Sequence, residues 1–187
     1  MMTEDIKEVL FTEEAIFEKV KEIGNKISHD YEGKDLIVVG VLKGSVLFTS
    51  DLVRRITIPC EIDFMAVSSY GNSTETSGVV RILKDLDHSI EGKDILIVED
   101  IVDTGITLNY LVKYLKARKA NSVEIATLFN KPARRKAEVE VKYEGFEAPD
   151  EFLVGYGIDY AEKYRNLPFV GCLKPEVYEK YNFTMLF

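Results

Sequence analysis

Residues 95–115 combine a short apolar run, three acids around a glycine, and an amphipathic pattern, and they restrict the fold more than any other segment. The apolar run 95–98 predicts a buried strand, and apolar residues three or four positions apart from Leu108 onward predict a helix. Between them stands Glu-Asp-Ile-Val-Asp-Thr-Gly-Ile-Thr. A strand, a glycine loop and a helix N-terminus in this order indicate an anion-binding cradle, because backbone N–H groups, hydroxyls and the helix dipole converge there.

The acids Glu99, Asp100 and Asp103 indicate which kind of anion this cradle takes. They would repel a bare phosphate, so we expect them to face hydroxyl groups, a divalent cation or a proton that is removed. A sugar phosphate with bound Mg²⁺ meets all these conditions. The sequence contains neither a Walker-type G-x-x-x-x-G-K-[ST] loop nor a G-x-G-x-x-G after a strand, which argues against those nucleotide-binding classes.

Length and charge limit the remaining classes. A chain of 187 residues is long enough for one domain with a full core. The net charge of −8 argues against a general nucleic-acid-binding surface, and no apolar run is long enough to cross a membrane. Cys60 and Cys172 lack metal-ligand spacing, and the first residues lack the features of a signal peptide. We therefore expect a cytoplasmic protein that binds neither nucleic acid nor membrane.

Alternating apolar runs and helical patterns predict the fold class. They indicate an α/β fold with a mostly parallel twisted sheet flanked by helices, whose ligands lie at the carboxyl ends of the strands. We expect a single domain over residues 1–187, a mobile polar lid loop at 69–78, and a small hood formed by the N-terminal residues and roughly 140–187. The predicted helices are 13–28 with Thr12 as N-cap, a helix through Phe48, Leu52 and Ile56, and 108–118; the predicted strands are 36–41, 62–67, 79–83, 95–98 and 123–129, with shorter segments at 139–141, 152–154 and 169–172.

The acid-rich loop resembles the signature loop of the type I phosphoribosyltransferases, which bind 5-phosphoribosyl-1-pyrophosphate (PRPP). The resemblance implies that Glu99 and Asp100 take the ribose hydroxyls together with Mg²⁺, and that Asp103 is the general base for the purine N7 proton. Ile106 stands where some members carry a lysine, and offers its backbone. The resemblance places the 5-phosphate on Asp103, Thr104, Gly105, Ile106 and Thr107.

Two further segments resemble the pyrophosphate-binding parts of the hypoxanthine-guanine members of that family. The Leu-Lys-Gly sequence after the first buried strand implies that Lys43 and Gly44 bind pyrophosphate, and that the Leu42–Lys43 peptide is cis or strained. Asp159 resembles the family's ligand for a second Mg²⁺, and Arg165 resembles the arginine that clamps pyrophosphate. Mg²⁺ is thus the implied cofactor.

The same family resemblance also implies which residues bind the base and which begin the lid. Lys131 resembles the lysine that contacts O6 of a 6-oxopurine, and an ammonium donor favours an oxo over an amino group. Phe152 would stack on the base, and the backbone of Leu153 would pair with the base edge. Ser69 and Tyr70 resemble the start of a lid that closes over the reaction centre.

These motifs imply purine salvage by Mg²⁺-dependent transfer of the 5-phosphoribosyl group from PRPP to N9 of hypoxanthine or guanine. The products would be a purine nucleoside monophosphate (IMP or GMP) and pyrophosphate, and the family resemblance suggests a homodimer or homotetramer. Lys131 disfavours adenine, and the segment around Phe152 disfavours orotate. Three alternatives stay open: a xanthine-preferring enzyme, an RNA-binding regulator on the same fold, and a sugar-phosphate binding module without turnover. The basic run Arg134, Arg135 and Lys136 is expected to be a solvated face.

Overall fold

The structure is a computed structural model that describes residues 2–69 and 80–184. Most of the predicted lid loop, including Tyr70, lies outside the described residues. A six-stranded sheet forms the centre, in the order β4-β3-β2-β5-β6-β7. Adjacent strands are parallel except for β4, which runs antiparallel to β3, so the sheet is mostly parallel as predicted. The strands are β2 (Leu36–Leu42), β3 (Glu61–Ser69), β4 (Val80–Lys84), β5 (Asp94–Val102), β6 (Ser122–Asn130) and β7 (Tyr143–Glu147).

Helices cover both faces of this sheet. Alternate residues of the central strands face opposite sides: Val38 belongs to the apolar cluster that contains α1 and α2, and Val39 to the cluster that contains α3. The Thr12 hydroxyl accepts a hydrogen bond from Ala15 N at 3.2 Å, which confirms the predicted N-cap. The second helix is shorter than predicted, since Ile56 lies beyond its end. The helices are α1 (Glu13–Asp30), α2 (Val46–Val53), α3 (Ile106–Ala117) and α4 (Pro175–Thr184).

A second, three-stranded antiparallel sheet brings the two ends of the chain together. Its order is β1 (Ile6–Phe11), β9 (Val170–Leu173) and β8 (Leu153–Val154). We propose that this sheet is the centre of the predicted hood. In the described part of the chain, no helix is long and apolar enough to span a membrane.

The predicted elements also differ from the structure in several other places. The strand predicted at 95–98 continues to Val102, because its ladder with β6 extends as far as the pair of Val102 and Asn130. Glu99 and Asp100 therefore lie in the strand and not after it. Residues 139–141 form no strand, since Val139 and Val141 pack on the α3 side while the edge strand β7 forms farther along. The prediction contains neither β1 nor α4.

Candidate active site

The predicted functional residues gather where three parallel strands end. Lys43 follows β2, Asp103 follows β5 and Lys131 follows β6. The Lys131 backbone N–H donates to the carbonyl of Val102 at 2.9 Å, so the chain after β6 is held beside the end of β5. This is the edge at which ligands bind in open α/β sheets.

The loop after β5 surrounds a cavity of about 270 Å³, which we name the loop cavity. Gly105 has a φ of 77° and is the N-cap of α3, so the helix begins directly after it, as the cradle requires. A β-carbon there would lie 2.8 Å from the carbonyl oxygen of Ala137. The glycine is therefore needed for a close approach within the protein as well as for its φ angle. The loop cavity is lined by Val41, Leu42, Val67, Glu99, Ile101, Val102, Asp103, Thr104, Gly105, Thr107 and Leu108.

Two neighbouring acids beside this cavity are poorly solvated. Burial raises the pKa of Glu99 well above its usual value, and the negative charge of Asp100 raises it further. Burial also raises the pKa of Asp100. A divalent cation would offset the cost of burying these two negative charges, and carboxylate oxygens are the donors that Mg²⁺ prefers. Among residues 2–69 and 80–184 no three acidic, histidine or cysteine side chains form a metal-binding group, so a cation here would take further ligands from water or substrate.

Gly44 packs directly against Asp100. The Leu42–Lys43 peptide is cis, as the family resemblance implied. A β-carbon on Gly44 would overlap the carboxylate of Asp100, and a β-carbon on Gly157 would overlap the carbonyl oxygen of Gly44. The loop after β2 is therefore enclosed between β5 and the chain that follows β8.

The predicted pyrophosphate-binding cations are both paired with acids. Lys43 Nζ lies 3.0 Å from Glu162 Oε2, and Arg165 Nη2 lies 2.9 Å from Asp159 Oδ1. Arg165 also donates to the carbonyl of Gly157 at 2.8 Å. The structure thus brings the predicted metal ligand Asp159 and the predicted clamp Arg165 into direct contact, beside Gly44.

The predicted base-binding residues line a second cavity of about 360 Å³, which we name the aromatic cavity. Lys131 is 6% exposed, and its Nζ donates to the carbonyl of Glu151 at 2.6 Å. Burial lowers the pKa of Lys131, against the opposing effect of the Asp103 charge. Phe152 remains 39% exposed, so its ring is open to a ligand. The aromatic cavity is lined by Ile101, Asp103, Lys131, Arg134, Asp150, Glu151, Phe152, Leu153, Ile158, Asp159 and Tyr178.

Asp103 lines both cavities. Its Oδ1 is buried, makes no hydrogen bond with the residues that the structure describes, and lies 3.5 Å from Arg134 Nε, at ion-pair distance. The loop cavity suits a sugar phosphate, and the aromatic cavity suits a flat ring. A carboxylate where the two cavities meet can accept a proton from that ring.

Several residues at the site were not predicted. Arg134 is exposed, as expected of a solvated face, and its Nε lies 3.5 Å from Asp103 Oδ1 and 3.7 Å from Asp150 Oδ1. Arg135 is half-buried and hydrogen-bonds Asn130, so the expectation is wrong for Arg135. The two arginines stand three and four positions after Lys131, and this closeness in the sequence was the available signal. Of the predicted lid residues, Ser69 is the last residue of β3.

Comparisons with known proteins agree with this geometry. A family model described as "Phosphoribosyl transferase domain" matches residues 8–161. The chain is 55% identical over 179 residues to the hypoxanthine-guanine phosphoribosyltransferase of Bacillus subtilis, covering 96% of this chain and 99% of the relative. It is 58% identical over 177 residues to the Staphylococcus aureus enzyme of that name, covering 95% of this chain and 99% of the relative.

Solved structures give the same result. A crystal structure of a hypoxanthine phosphoribosyltransferase from Staphylococcus aureus superposes with a TM-score of 0.92 at 58% identity, covering 95% of this chain and 96% of that one. The hypoxanthine phosphoribosyl transferase of Trypanosoma cruzi superposes with a TM-score of 0.91 at 40% identity, covering 96% and 97%.

Proposed function

The chain belongs to the phosphoribosyl transferase family, and we propose that its two cavities carry out purine salvage by transferring the 5-phosphoribosyl group of PRPP to N9 of hypoxanthine or guanine. The products are the purine nucleoside monophosphate and pyrophosphate. The family and fold predicted from the motifs are confirmed by the matches above. The observation that supports the reaction most directly is the position of Asp103, which lines both the loop cavity and the aromatic cavity.

The loop cavity suits the ribose 5-phosphate. Backbone N–H groups at the start of α3, with the hydroxyls of Thr104 and Thr107, are donors to phosphate oxygens, and the helix dipole adds favourable potential. Glu99 and Asp100 can accept hydrogen bonds from the ribose 2- and 3-hydroxyls. The ribose then lies between the phosphate and the carboxylate of Asp103.

The donor chemistry of the site fits Mg²⁺. Burial raises the pKa of both Glu99 and Asp100, so a bound cation would favour their ionised forms, and Asp159 presents a further carboxylate beside Arg165. We propose that Glu99 and Asp100 hold one Mg²⁺ and that Asp159 holds a second, mainly through substrate and water oxygens. When bound, these ions would neutralise charge on the departing pyrophosphate. Lys43 and Arg165 supply fixed positive charge for the same purpose.

The aromatic cavity suits a 6-oxopurine. Phe152 offers a ring face for stacking, and its neighbour Leu153 offers backbone groups at the cavity wall. Lys131 Nζ uses one donor on the carbonyl of Glu151, and an ammonium group has three, so donors remain for a purine O6. A 6-amino group would meet these donors with hydrogens instead of lone pairs, which disfavours adenine.

Asp103 acts as the general base in this proposal. As N9 bonds to C1 of the ribose and pyrophosphate leaves, the purine becomes cationic and loses the proton on N7. The buried Oδ1 of Asp103, which makes no hydrogen bond among the described residues, is the acceptor at the shared wall of the cavities. Ser69 and Tyr70 are proposed to begin a lid that excludes water from the cationic sugar.

A pyrophosphate-release assay with PRPP and Mg²⁺ tests the proposal, with hypoxanthine, guanine, xanthine, adenine, orotate and uracil supplied one at a time. Turnover with hypoxanthine or guanine, and little with adenine, is the expected result. Preference for xanthine would replace the substrate assignment while keeping the reaction. PRPP binding without turnover for any base would contradict the proposal and favour a binding module or regulator, the latter recognised by salt-sensitive RNA binding.

A homodimer or homotetramer remains our expectation for the assembly. One related structure, from Trypanosoma cruzi, is described in terms of its C-terminal region, its oligomeric state and its activity. Light scattering coupled to size-exclusion chromatography measures the assembly of this chain directly, and a monomer at working concentration would contradict the expectation.

A further inference from the structure

Helix α4 places an aromatic side chain on the proposed base-stacking residue. The ring of Tyr178 stacks on that of Phe152, with centroids 5.0 Å apart and an interplanar angle of 18°. Tyr160 meets Phe152 at nearly a right angle, with centroids 5.2 Å apart. Tyr178 also lines the aromatic cavity together with Lys131 and Asp103. An α4 side chain is thus part of the same pocket as the predicted base-binding residues.

The position of Tyr178 is tied to the small sheet. The backbone of Leu173 donates to the carbonyl of Phe152 at 2.8 Å, and α4 begins two residues later. The hydroxyl of Tyr160 donates to the carbonyl of Tyr178 at 3.4 Å. Tyr178 packs against the apolar cluster that contains Leu167 and Leu173. The stacking geometry therefore belongs to the folded unit and not to a free chain end.

We propose that Tyr178 is a positioning residue for the purine base, an inference that rests on the proposed function. Phe152 is 39% exposed, and a partly exposed ring that must stack on a ligand loses rotational freedom when the ligand binds. Tyr178 restricts that ring beforehand, because offset-stacked aromatic pairs are attractive beyond their buried area. It also forms the wall of the aromatic cavity on the side of α4.

Replacement of the tyrosine separates stacking from other roles. Tyr178→Ala removes the ring, Tyr178→Leu keeps apolar volume without an aromatic face, and Tyr178→Phe keeps the ring without the hydroxyl. Both Tyr178→Ala and Tyr178→Leu should raise the KM for hypoxanthine by about three- to tenfold, the range expected for one aromatic pair. The KM for PRPP should change by less than about twofold, because Tyr178 does not line the loop cavity. Tyr178→Phe should match the wild type.

Tyr110→Ala is the matched control. Tyr110 stacks on Tyr114 with centroids 6.2 Å apart and an interplanar angle of 11°, and it is 37% exposed on α3. It lines neither cavity, so its removal should leave both KM values unchanged. Circular dichroism melting of every variant confirms that the folded protein is assayed.

Three outcomes overturn the inference. An unchanged KM for hypoxanthine in Tyr178→Leu, with normal wild-type turnover, overturns it and leaves the proposed function intact. Equal rises in the KM for hypoxanthine and for PRPP would show a general structural role instead. A wild-type chain that turns over neither hypoxanthine nor guanine overturns the proposed function and this inference with it.

Discussion

Lys43 Nζ lies 3.0 Å from Glu162 Oε2, although 119 residues separate the two in the sequence. The pair joins the loop after β2 to the turn that follows Asp159. Lys43 is also the proposed partner of pyrophosphate, so pyrophosphate must compete with Glu162 for this ammonium group. The hydrogen bond from Lys43, together with its charge, lowers the pKa of Glu162, so the competing carboxylate is ionised at neutral pH.

Glu162→Gln should strengthen pyrophosphate binding. Both side chains are largely exposed, at 68% and 65%, so the effect is small: we expect the KM for PRPP and the inhibition constant of pyrophosphate to fall by about twofold to threefold. Steady-state kinetics with added pyrophosphate measure both. Glu91→Gln is the matched control, because Glu91 and Lys119 form an ion pair of 3.2 Å with similar exposure. Equal effects in the two variants would indicate a change in overall charge and not a local competition.

Asp103→Asn should lower kcat by about a hundredfold to ten-thousandfold, because an amide cannot accept the N7 proton. The amide has nearly the same shape, so both cavities should persist and the KM for PRPP should change little. Rapid-quench measurement of a single turnover separates the chemical step from product release. An unchanged single-turnover rate would remove Asp103 from the role of base.

Lys131→Gln should lower kcat/KM for hypoxanthine by about tenfold to a hundredfold, the range for a lost charge-assisted hydrogen bond. Discrimination against adenine should fall as well, because a glutamine side chain can accept a hydrogen bond from a 6-amino group. Competition kinetics with both bases measure the ratio. Lys136→Gln is the control, since Lys136 is an exposed lysine of the same basic run and lines neither cavity. A discrimination ratio that stays constant in Lys131→Gln would contradict the assignment.

Gly105→Ala and Gly92→Ala form a matched pair that separates the cost of a positive φ angle from the cost of a steric clash at the β-carbon. Both glycines have a φ of 77°, but a β-carbon on Gly92 would meet no atom of residues 2–69 or 80–184 within 4 Å, whereas one on Gly105 would lie 2.8 Å from Ala137 O. We expect Gly92→Ala to lower the free energy of unfolding by about 1 kcal/mol and to leave activity unchanged. Gly105→Ala should cost more and also raise the KM for PRPP. Denaturant titration and kinetics test the pair, and equal behaviour of the two variants would refute the collision argument.

Asp85→Asn should make stability less dependent on pH in the acid range. Burial opposes ionisation of Asp85, but hydrogen bonds from Tyr114 O–H and Leu86 N–H, together with Arg118, outweigh it and lower its pKa. A carboxyl whose folded pKa lies below the unfolded value of about 3.9 stabilises the protein above that pH and loses the contribution as pH falls through the folded pKa.

The variant should therefore be less stable than the wild type at pH 7, by about 1 kcal/mol because the carboxylate is partly exposed, and the difference should shrink below about pH 4. Urea titrations from pH 3 to 7 follow the difference. Glu18→Gln removes an exposed carboxylate 3.6 Å from Lys21 and should change stability little at any pH. A difference for Asp85→Asn that grows toward acid pH would contradict the sign argued here.

Much of the large sheet was predictable because buried parallel strands are continuous apolar runs. The run at 36–41 became β2, and the apolar stripe at 13–28 became α1. The edge strand β7 gave no such signal, since Tyr-Glu-Gly-Phe-Glu contains neither an apolar run nor a clear alternation. It pairs with β6 partly because Gly145 leaves room for the carbonyl of Leu128, a long-range relationship that no local pattern contains.

The residues of the site also differ in how well the sequence predicts their positions. The loop from Asp103 to Thr107 lies on consecutive residues, so one motif predicted its position. The ion pair of Lys43 with Glu162 depends on how the small sheet meets the large one, and α4 was not predicted at all. Tyr178 therefore reached the aromatic cavity without any signal in the sequence. The arginines after Lys131 show the opposite problem, because a run of like charges does not indicate which member faces a ligand.

The contact between Gly157 and the carbonyl of Gly44 lies where the proposed base-binding and phosphate-binding parts of the site meet. The proposed base-reading groups Phe152 and Leu153 lie at the small sheet, while the phosphate loop lies on the large one. At this contact backbone lies against backbone, while side chains such as Phe11 of β1, which packs on Phe129 and Phe146, hold the small sheet on the large one. Because the proposed O6 contact Lys131 follows β6 of the large sheet, exchange of the small sheet between related enzymes would transfer the stacking and base-edge contacts without the contact to O6, provided that both glycines are retained.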